Sequence, residues 1–389
     1  GVFRSTDGGR SFQKVLYKDE YTSANDVLID PSDPNTVYAV LWIQQQSYIE
    51  GGAFGGAGGG IFKSTDGGTT WKQLADGLPD IIQANIALAP GNSKVLYAMV
   101  AGQPAAAGGR GGAGAGAGGG GRGGGGGGGS VGLYKSIDGG EHWFLAVRGR
   151  DGSGTRAADN RPLGRIGGGD LPTITVDPKN DNVLYSCSTV FWRSEDGGVT
   201  WSVVRGAPGG DDYQKSWVNP NNTDLIVVVT DQGAVVSGNR GASWSNWYTQ
   251  PTGAMYHAST DNAFPYRVCS GQQDSGSACV DSRGNDGEIT FRDWRPVGIQ
   301  EYGEAAPDPK NPDLVYGSSR SNVTLFNRKT GQTKNVGPNF AADTDATGRS
   351  FIRNVRTQPL EWSPVNQNVL FYAQNAVWKT SNGGTTWTR

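Results

Sequence analysis

Four carboxylates in this 389-residue chain fall in stretches that interrupt an otherwise repetitive pattern: Asp211, Asp212, Asp274 and Glu301. Two carboxyl groups roughly 5–10 Å apart can hydrolyse a glycosidic bond, one as acid and the other as base or nucleophile. Asp274 with Glu301 is the pair that best suits that chemistry. Ligand-holding groups stand beside them in sequence: Tyr213, Gln272, Gln273, Trp294, Arg295, Tyr302 and Glu304, with Arg161 and Trp42 as weaker additions. His257, on the strand Met255-Tyr256-His257, reads as a structural residue. With His142 as the only other histidine, no Ser-His-Asp or Cys-His arrangement can be assembled. Asp343-Thr344-Asp345 opens like a calcium loop, but Asn354 stands where its closing Glu belongs. The glycine tracts lack the Lys-Ser/Thr ending of a phosphate loop. No metal and no cofactor are expected.

The elements that must position these residues are repeats. One motif reads aromatic, basic, Ser/Thr, any residue, Asp, Gly, Gly, and closes on an aromatic. Its copies are Ser5, Asp7 and Phe12; Ser64, Asp66 and Trp71; Ser136, Asp138 and Trp143; Ser194, Asp196 and Trp201. Two later copies carry Asn: Ser237, Asn239 and Trp244, then Thr380, Asn382 and Trp387. The chemistry is that of a hairpin turn, in which Ser and Asp side chains bond loop N–H groups and Gly supplies positive φ. Because the same residues recur in every copy, the aspartates are structural, and Trp71 and Trp201 are expected to be buried between sheets. Between these turns lie pairs of apolar strands joined by Pro/Asn/Asp turns, as in Val27-Leu28-Ile29-Asp30-Pro31 leading to Val37-Tyr38. From Asp177 through Asn219, Asp261 and Asp308 the steps are 42, 42 and 47 residues, the length of a four-stranded propeller blade.

An all-β propeller of about seven full blades plus an N-terminal half blade is therefore expected. The half blade takes residues 1–16, and the blades take 24–76, 82–147, 169–205, 210–247, 253–294, 301–336 and 351–389. A Gly-rich insertion covers 103–131. The chain opens in mid-motif at Gly1, so further blades upstream are expected.

Charge is balanced, with 34 Lys+Arg against 36 Asp+Glu, so no general attraction to nucleic acid or an anionic membrane is expected. No apolar run approaches the roughly 18 residues of a transmembrane helix. Cys269 and Cys279 flank a tight hairpin where a local disulfide is sterically open; three reduced thiols is the other reading.

The repeated motif resembles the Asp-box (BNR) propellers: sortilin/Vps10-type domains, BNR sialidases, xyloglucanase propellers and the photosystem II assembly propeller. Val15 to Asp19, Leu41-Trp42, Gln272-Gln273-Asp274, Arg292-Asp293-Trp294 and Pro307 to Pro312 are similar to large secreted bacterial Vps10/BNR-repeat proteins often labelled glycosyl hydrolase. The resemblance implies a secreted, cell-surface or periplasmic scaffold with a polysaccharide or protein partner, further blades or self-assembly. A glycoside hydrolase like the xyloglucanases, or a structural subunit of an extracellular assembly, are the alternatives. Where relatives carry a His-rich stretch this chain has Asp211 to Lys215, and the Arg cluster of a sialidase is missing.

Strand parity places the Pro/Asn turns and the Asp turns on one face, and the second-to-third and fourth-to-first connections on the other. Ile43–Gly59, Gly102–Ser130, Arg148–Leu171, Gly206–Asp212, Gly271–Ser277 and Trp294–Ala305 all fall on that second face, where binding is expected.

Overall fold

A computed structural model describes residues 1–389 apart from 47–51, 55–57, 104–129, 149–170, 208, 247–249, 251, 274–275, 320–321, 340–352, 354 and 356. Asp274, Arg161, the Asp343-Thr344-Asp345 stretch and most of the Gly-rich insertion lie outside the described residues.

The described chain is all-β, with one short 3₁₀ turn at Phe291–Asp293. It divides into two units, residues 1–230 with 234–245, and residues 231–233 with 246–389. In the first, β1 (Val2–Arg4) and β2 (Gln13–Leu16) form a two-stranded sheet. The second sheet is β3 (Thr22–Ile29), β4 (Val37–Gln46), β6 (Gly60–Ser64) and β7 (Lys72–Leu74), with β5 (Gly52–Phe54) paired to the far end of β4. The third is β8 (Asp80–Leu88), β9 (Leu96–Gln103), β10 (Ser130–Ser136) and β11 (Phe144–Arg148). The fourth is β12 (Thr173–Asp177), β13 (Asn180–Cys187), β14 (Phe191–Ser194) and β15 (Ser202–Arg205), and the fifth is β16 (Lys215–Val218), β17 (Ile226–Thr230) and β18 (Gly233–Ser237).

The second unit holds β19 (Ser259–Thr260), β20 (Arg267–Gln272), β21 (Gly276–Asp281) and β22 (Trp294–Pro296). Then come β23 (Ala305–Pro307), β24 (Leu314–Ser319), β25 (Asn322–Asn327) and β26 (Gln332–Asn335), and finally β27 (Leu360–Trp362), β28 (Leu370–Ala373) and β29 (Val377–Thr380). The strands pair antiparallel with their neighbours in sequence, except that β4 pairs with β6 as well as with β5. These are the blades of a β-propeller.

Three expectations are corrected. Among the described residues the fifth and last sheets have three strands each, with a fourth segment joined to each through one residue pair. There, Ser245 N–H donates to Val236 O at 2.8 Å, and Lys379 and Thr388 exchange two 2.8 Å bonds. Trp294–Pro296 is a fourth strand, so the variable connection begins only after it. Ile43–Gly59 is not all loop, because β5 continues the sheet alongside β4.

The turns explain the motif's residues. Ser64 Oγ accepts from Gly68 N–H at 2.8 Å and donates to Asp66 Oδ1, which also takes the N–H groups of Thr69 and Thr70. Thr70 Oγ1 donates to Asp66 Oδ2 at 2.6 Å. The same bonding recurs at Ser5/Asp7 and Ser194/Asp196. In the Asn copies the last bond reverses: Asn239 Nδ2 donates to Ser243 Oγ and Asn382 Nδ2 to Thr386 Oγ1, both at 2.8 Å. A hydroxyl can donate or accept, so either side chain closes the turn.

In four of the turns the second glycine, Gly140, Gly198, Gly241 or Gly384, also faces the preceding sheet. At Gly198, with φ +92°, a Cβ would sit 2.5 Å from Leu133 Cδ2 and 3.3 Å from Leu184 Cδ1, so both the positive φ and the close approach require Gly there.

Within the first unit, successive sheets bury apolar faces against one another. Tyr38, Val40, Trp42, Ile61 and Leu74 of the second sheet pack on Ile81, Ile86, Leu96, Val100 and Trp143 of the third. Tyrosines on second strands fasten neighbouring sheets: Tyr38 Oη donates to Gly139 O at 3.0 Å and Tyr97 Oη to Asp181 O at 2.9 Å. Burial pushes the Tyr38 hydroxyl up to about 12. The closing aromatics are uneven. Trp143 is buried and Trp71 and Trp201 are only half-buried, each donating its indole N–H to the turn's own glycine carbonyl. Phe12 is 63% exposed.

In the second unit the Cys269–Cys279 disulfide joins directly paired residues of β20 and β21. Cys187, in the first, is a buried free thiol, pushed up to about 12 by its burial.

Candidate functional site

In the second unit the predicted residues Gln272, Gln273, Glu301 and Tyr302 come together around Tyr256. The chain before β19 continues the sheet: Met255 bridges Gln272, Tyr256 N–H donates to Gly271 O, and Gln273 N–H donates to Ala254 O. The turn at residues 300–304 closes onto this edge, with Gly271 N–H donating to Gly303 O at 3.1 Å. A Cβ on Gly271 would lie 2.1 Å from that carbonyl oxygen, so only glycine allows the turn to dock. The result is two half-buried tyrosines edge to face, with ring centres 5.5 Å apart. Tyr256 Oη donates to Gln273 Oε1 at 2.7 Å.

The other candidates lie elsewhere. Glu304 Oε2 accepts from Leu360 N–H at 3.0 Å and so ties β23 to β27. Arg295 pairs with Asp281 at 2.8 Å, and with Trp294 it occupies β22 rather than a loop. His257 is exposed just beyond the Met255 bridge.

Asp211 and Asp212 lead into β16 in the first unit, with Asp212 in the left-handed region at φ 42°. Tyr213 cannot meet a ligand, because it is fully buried, stacked on Phe191 and bonded through Oη to Gly209 O.

The first unit also holds a cleft of about 210 Å³ that the candidate residues largely miss. It is lined by Asn25 and Asp26 of β3, Trp42 of β4, Gln83, Ala84 and Asn85 of β8, Leu171 and Thr173 at β12, and Gln214 and Lys215 at β16. They lie midway along the first strands β3 and β8 and the second strand β4, and at the start of the first strands β12 and β16.

Two bulges shape it. Asn25 is the extra residue between Ala24 and Asp26, and Ile82 the extra residue between Ile81 and Gln83. Asn25 Nδ2 donates to Asn85 Oδ1 at 3.0 Å, Asn85 Nδ2 to Leu171 O at 3.0 Å, and Thr173 Oγ1 to Gln214 O at 2.8 Å. Asp26 is half-buried and accepts a long bond from Ile86 N–H, at 3.4 Å. Burial raises its carboxyl above the ordinary Asp range, and the Lys215 charge opposes that shift. A carboxyl perturbed in this way inside a cleft marks a place of function more often than chance. Of the cleft's residues only Trp42 had been singled out as a ligand contact.

No protein-family model matches the chain. Over 246 residues, 57% of the chain, it is 24% identical to a xyloglucanase from Paenibacillus sp.. The match spans 21% of that protein, so the chain corresponds to about a fifth of its curated relative. Among solved structures, the chain is similar to the GH74 xyloglucanase from Xanthomonas campestris, at 16% identity and a TM-score of 0.38 over 93% of this chain and 44% of the other. It is similar to an ancestral GH74 enzyme at 13% identity and 0.40, over 100% and 51%. YCF48 from Cyanidioschyzon merolae follows at 12% and 0.33, over 92% and 94%. These scores all lie under 0.5, and the fold assignment rests on the chain's own strand pairings.

Proposed function

We propose that this chain is a propeller scaffold of a secreted or cell-surface protein, and that it binds a polysaccharide at the edge where the fourth-to-first and second-to-third connections emerge. The observation that carries this reading is the Tyr256–Tyr302 pair with Gln273 fixed on its rim. Partly exposed aromatic rings offer an apolar face to sugar C–H groups, and a positioned amide offers hydrogen bonds to hydroxyls. Soluble plant and bacterial polysaccharides, run in affinity gels and by calorimetry, test it. Tyr302→Ala is expected to weaken binding by tenfold or more, an amount that corresponds to about 1.4 kcal/mol. Equal binding by wild type and variant, or binding only to a protein partner, refutes the polysaccharide reading.

The second reading is a glycoside hydrolase that uses Asp274 and Glu301, and the partial identity to a xyloglucanase favours it. Reducing-sugar release that disappears in an Asp274→Asn, Glu301→Gln double variant would replace the binding-only reading with this one.

A further inference from the structure

The cleft between the first strands of four consecutive sheets is a built feature. A regular strand points alternate residues to opposite faces, so neighbours in sequence do not share one cavity. Here Asn25 and Asp26 both line it, as do Gln83, Ala84 and Asn85. The bulge at Asn25 lets Asn25 and Asp26 line the cleft together, and a second bulge, at Ile82 on the adjacent first strand, sets the register from which Gln83 and Asn85 share a face of β8. Bulges are concentrated next to functional sites, where they re-aim side chains.

The charges in the cleft narrow the ligand. Asp26 stands on β3 and Lys215 on β16, the outermost of the four lining first strands, and among the described residues no ion pair joins them. An anionic ligand would meet the Asp26 carboxylate, and a cationic one the Lys215 ammonium. A neutral ligand would leave the two charges to compensate only each other, at a separation longer than an ion pair. A ligand that carries both an ammonium and a carboxylate compensates each wall, and the polar side chains of Asn25, Gln83 and Gln214 line the space between them. The volume is below the roughly 300–1,000 Å³ of sites that engulf drug-sized molecules, so the occupant is small.

We propose that this cleft is a binding site for a small zwitterion, a free α-amino acid with a short side chain, held with its ammonium on Asp26 and its carboxylate on Lys215. The site is separate from the tyrosine cluster and does not depend on the polysaccharide reading.

Calorimetry on the whole chain, with no polysaccharide present, tests it with alanine and serine as probes. N-acetylalanine removes the ammonium, alaninamide removes the carboxylate, and glucose is the neutral control. Saturable binding of alanine or serine is expected, with both blocked derivatives and glucose at least tenfold weaker. Asp26→Asn should weaken binding by roughly tenfold to a hundredfold, the worth of a hydrogen bond to a charged group. Lys215→Met should weaken it several-fold, and both variants should keep the far-ultraviolet dichroism of the wild type. No heat from either amino acid overturns the proposal, as does equal binding by a blocked derivative. Glucose binding that Asp26→Asn abolishes would overturn it in favour of a sugar subsite.

Discussion

Gly9 and Gly198 occupy the same position of the same turn, with φ of +84° and +92°. Alanine in either must adopt a left-handed backbone, which costs about 1–2 kcal/mol. Their surroundings differ. At Gly9 a new Cβ meets only Phe12 Cζ, at 3.9 Å, whereas at Gly198 it falls 2.5 Å from Leu133 Cδ2 and 3.3 Å from Leu184 Cδ1. Both leucines are fully buried, so neither can swing into solvent to make room. Overpacking of that kind adds about 1–3 kcal/mol. Gly9→Ala is therefore expected to cost about 1–2 kcal/mol, and Gly198→Ala about 2–5 kcal/mol. Urea unfolding followed by tryptophan fluorescence measures both, with an unchanged slope required for the comparison. Equal losses would show that the second glycine serves only the turn's backbone. The packing of the Gly198 turn into the preceding sheet would then carry no weight in stability.

Three further outcomes follow from named contacts. The carboxyl of Asp26 is raised by burial, so its contribution to stability is fully present below the unfolded Asp value of about 3.9 and lost as pH rises through the folded one. Asp26→Asn should therefore raise the melting temperature at pH 7 and have little effect near pH 3; a destabilisation that is the same at both would contradict this. His142 bonds Asp138 at 2.6 Å and faces Asp76 at 3.2 Å, and the Asp138 bond and then the two charges raise its pKa above the ordinary His value. Its contribution holds below about pH 6.5 and is lost as pH rises through the higher folded value, so an NMR titration should show a midpoint above 6.5 that falls in Asp138→Asn. Tyr97→Phe removes the bond to Asp181 O and should cost about 0.5–1.5 kcal/mol in denaturant unfolding. Tyr38→Phe should cost less, since Lys63 Nζ still reaches Gly139 O at 2.9 Å.

The blades were legible because a turn is a local object. Ser64, Asp66 and Gly68 lie within five residues and satisfy one another's hydrogen bonds, so their identities can be read without knowing what surrounds them. The apolar strands between the turns are legible as short unbroken apolar runs, as in Val27 to Ile29 and Val37 to Val40. What failed was whatever depended on a neighbour. Trp71 and Trp201 looked alike and are half-buried, whereas Trp143 is buried, because burial of a closing aromatic is set by the sheet before it. Nothing in the sequence near Tyr213 says that Phe191, 22 residues earlier, covers its ring.

The candidate sites divide along the same line. Gln272, Gln273 and Tyr302 were found because they break the repeat, which is a property of single positions. The cleft was missed because its residues sit inside strands that otherwise keep the repeat. Yet a trace of it is present: Ala24-Asn25-Asp26-Val27 and Ile82-Gln83-Ala84-Asn85 place polar groups where a buried strand alternates apolar ones. Such a fault reads at first as a weakened strand. A bulge turns it into two adjacent side chains on one face, and only the pairing partner, Val40 against Asp26 or Ala101 against Gln83, fixes where the extra residue goes. A strand pattern that slips by one residue beside paired polar groups is thus a signal for a cavity. Its strength here comes from recurring at the same depth in two consecutive blades, because one slip can be a defect of packing, whereas two facing slips enclose a space.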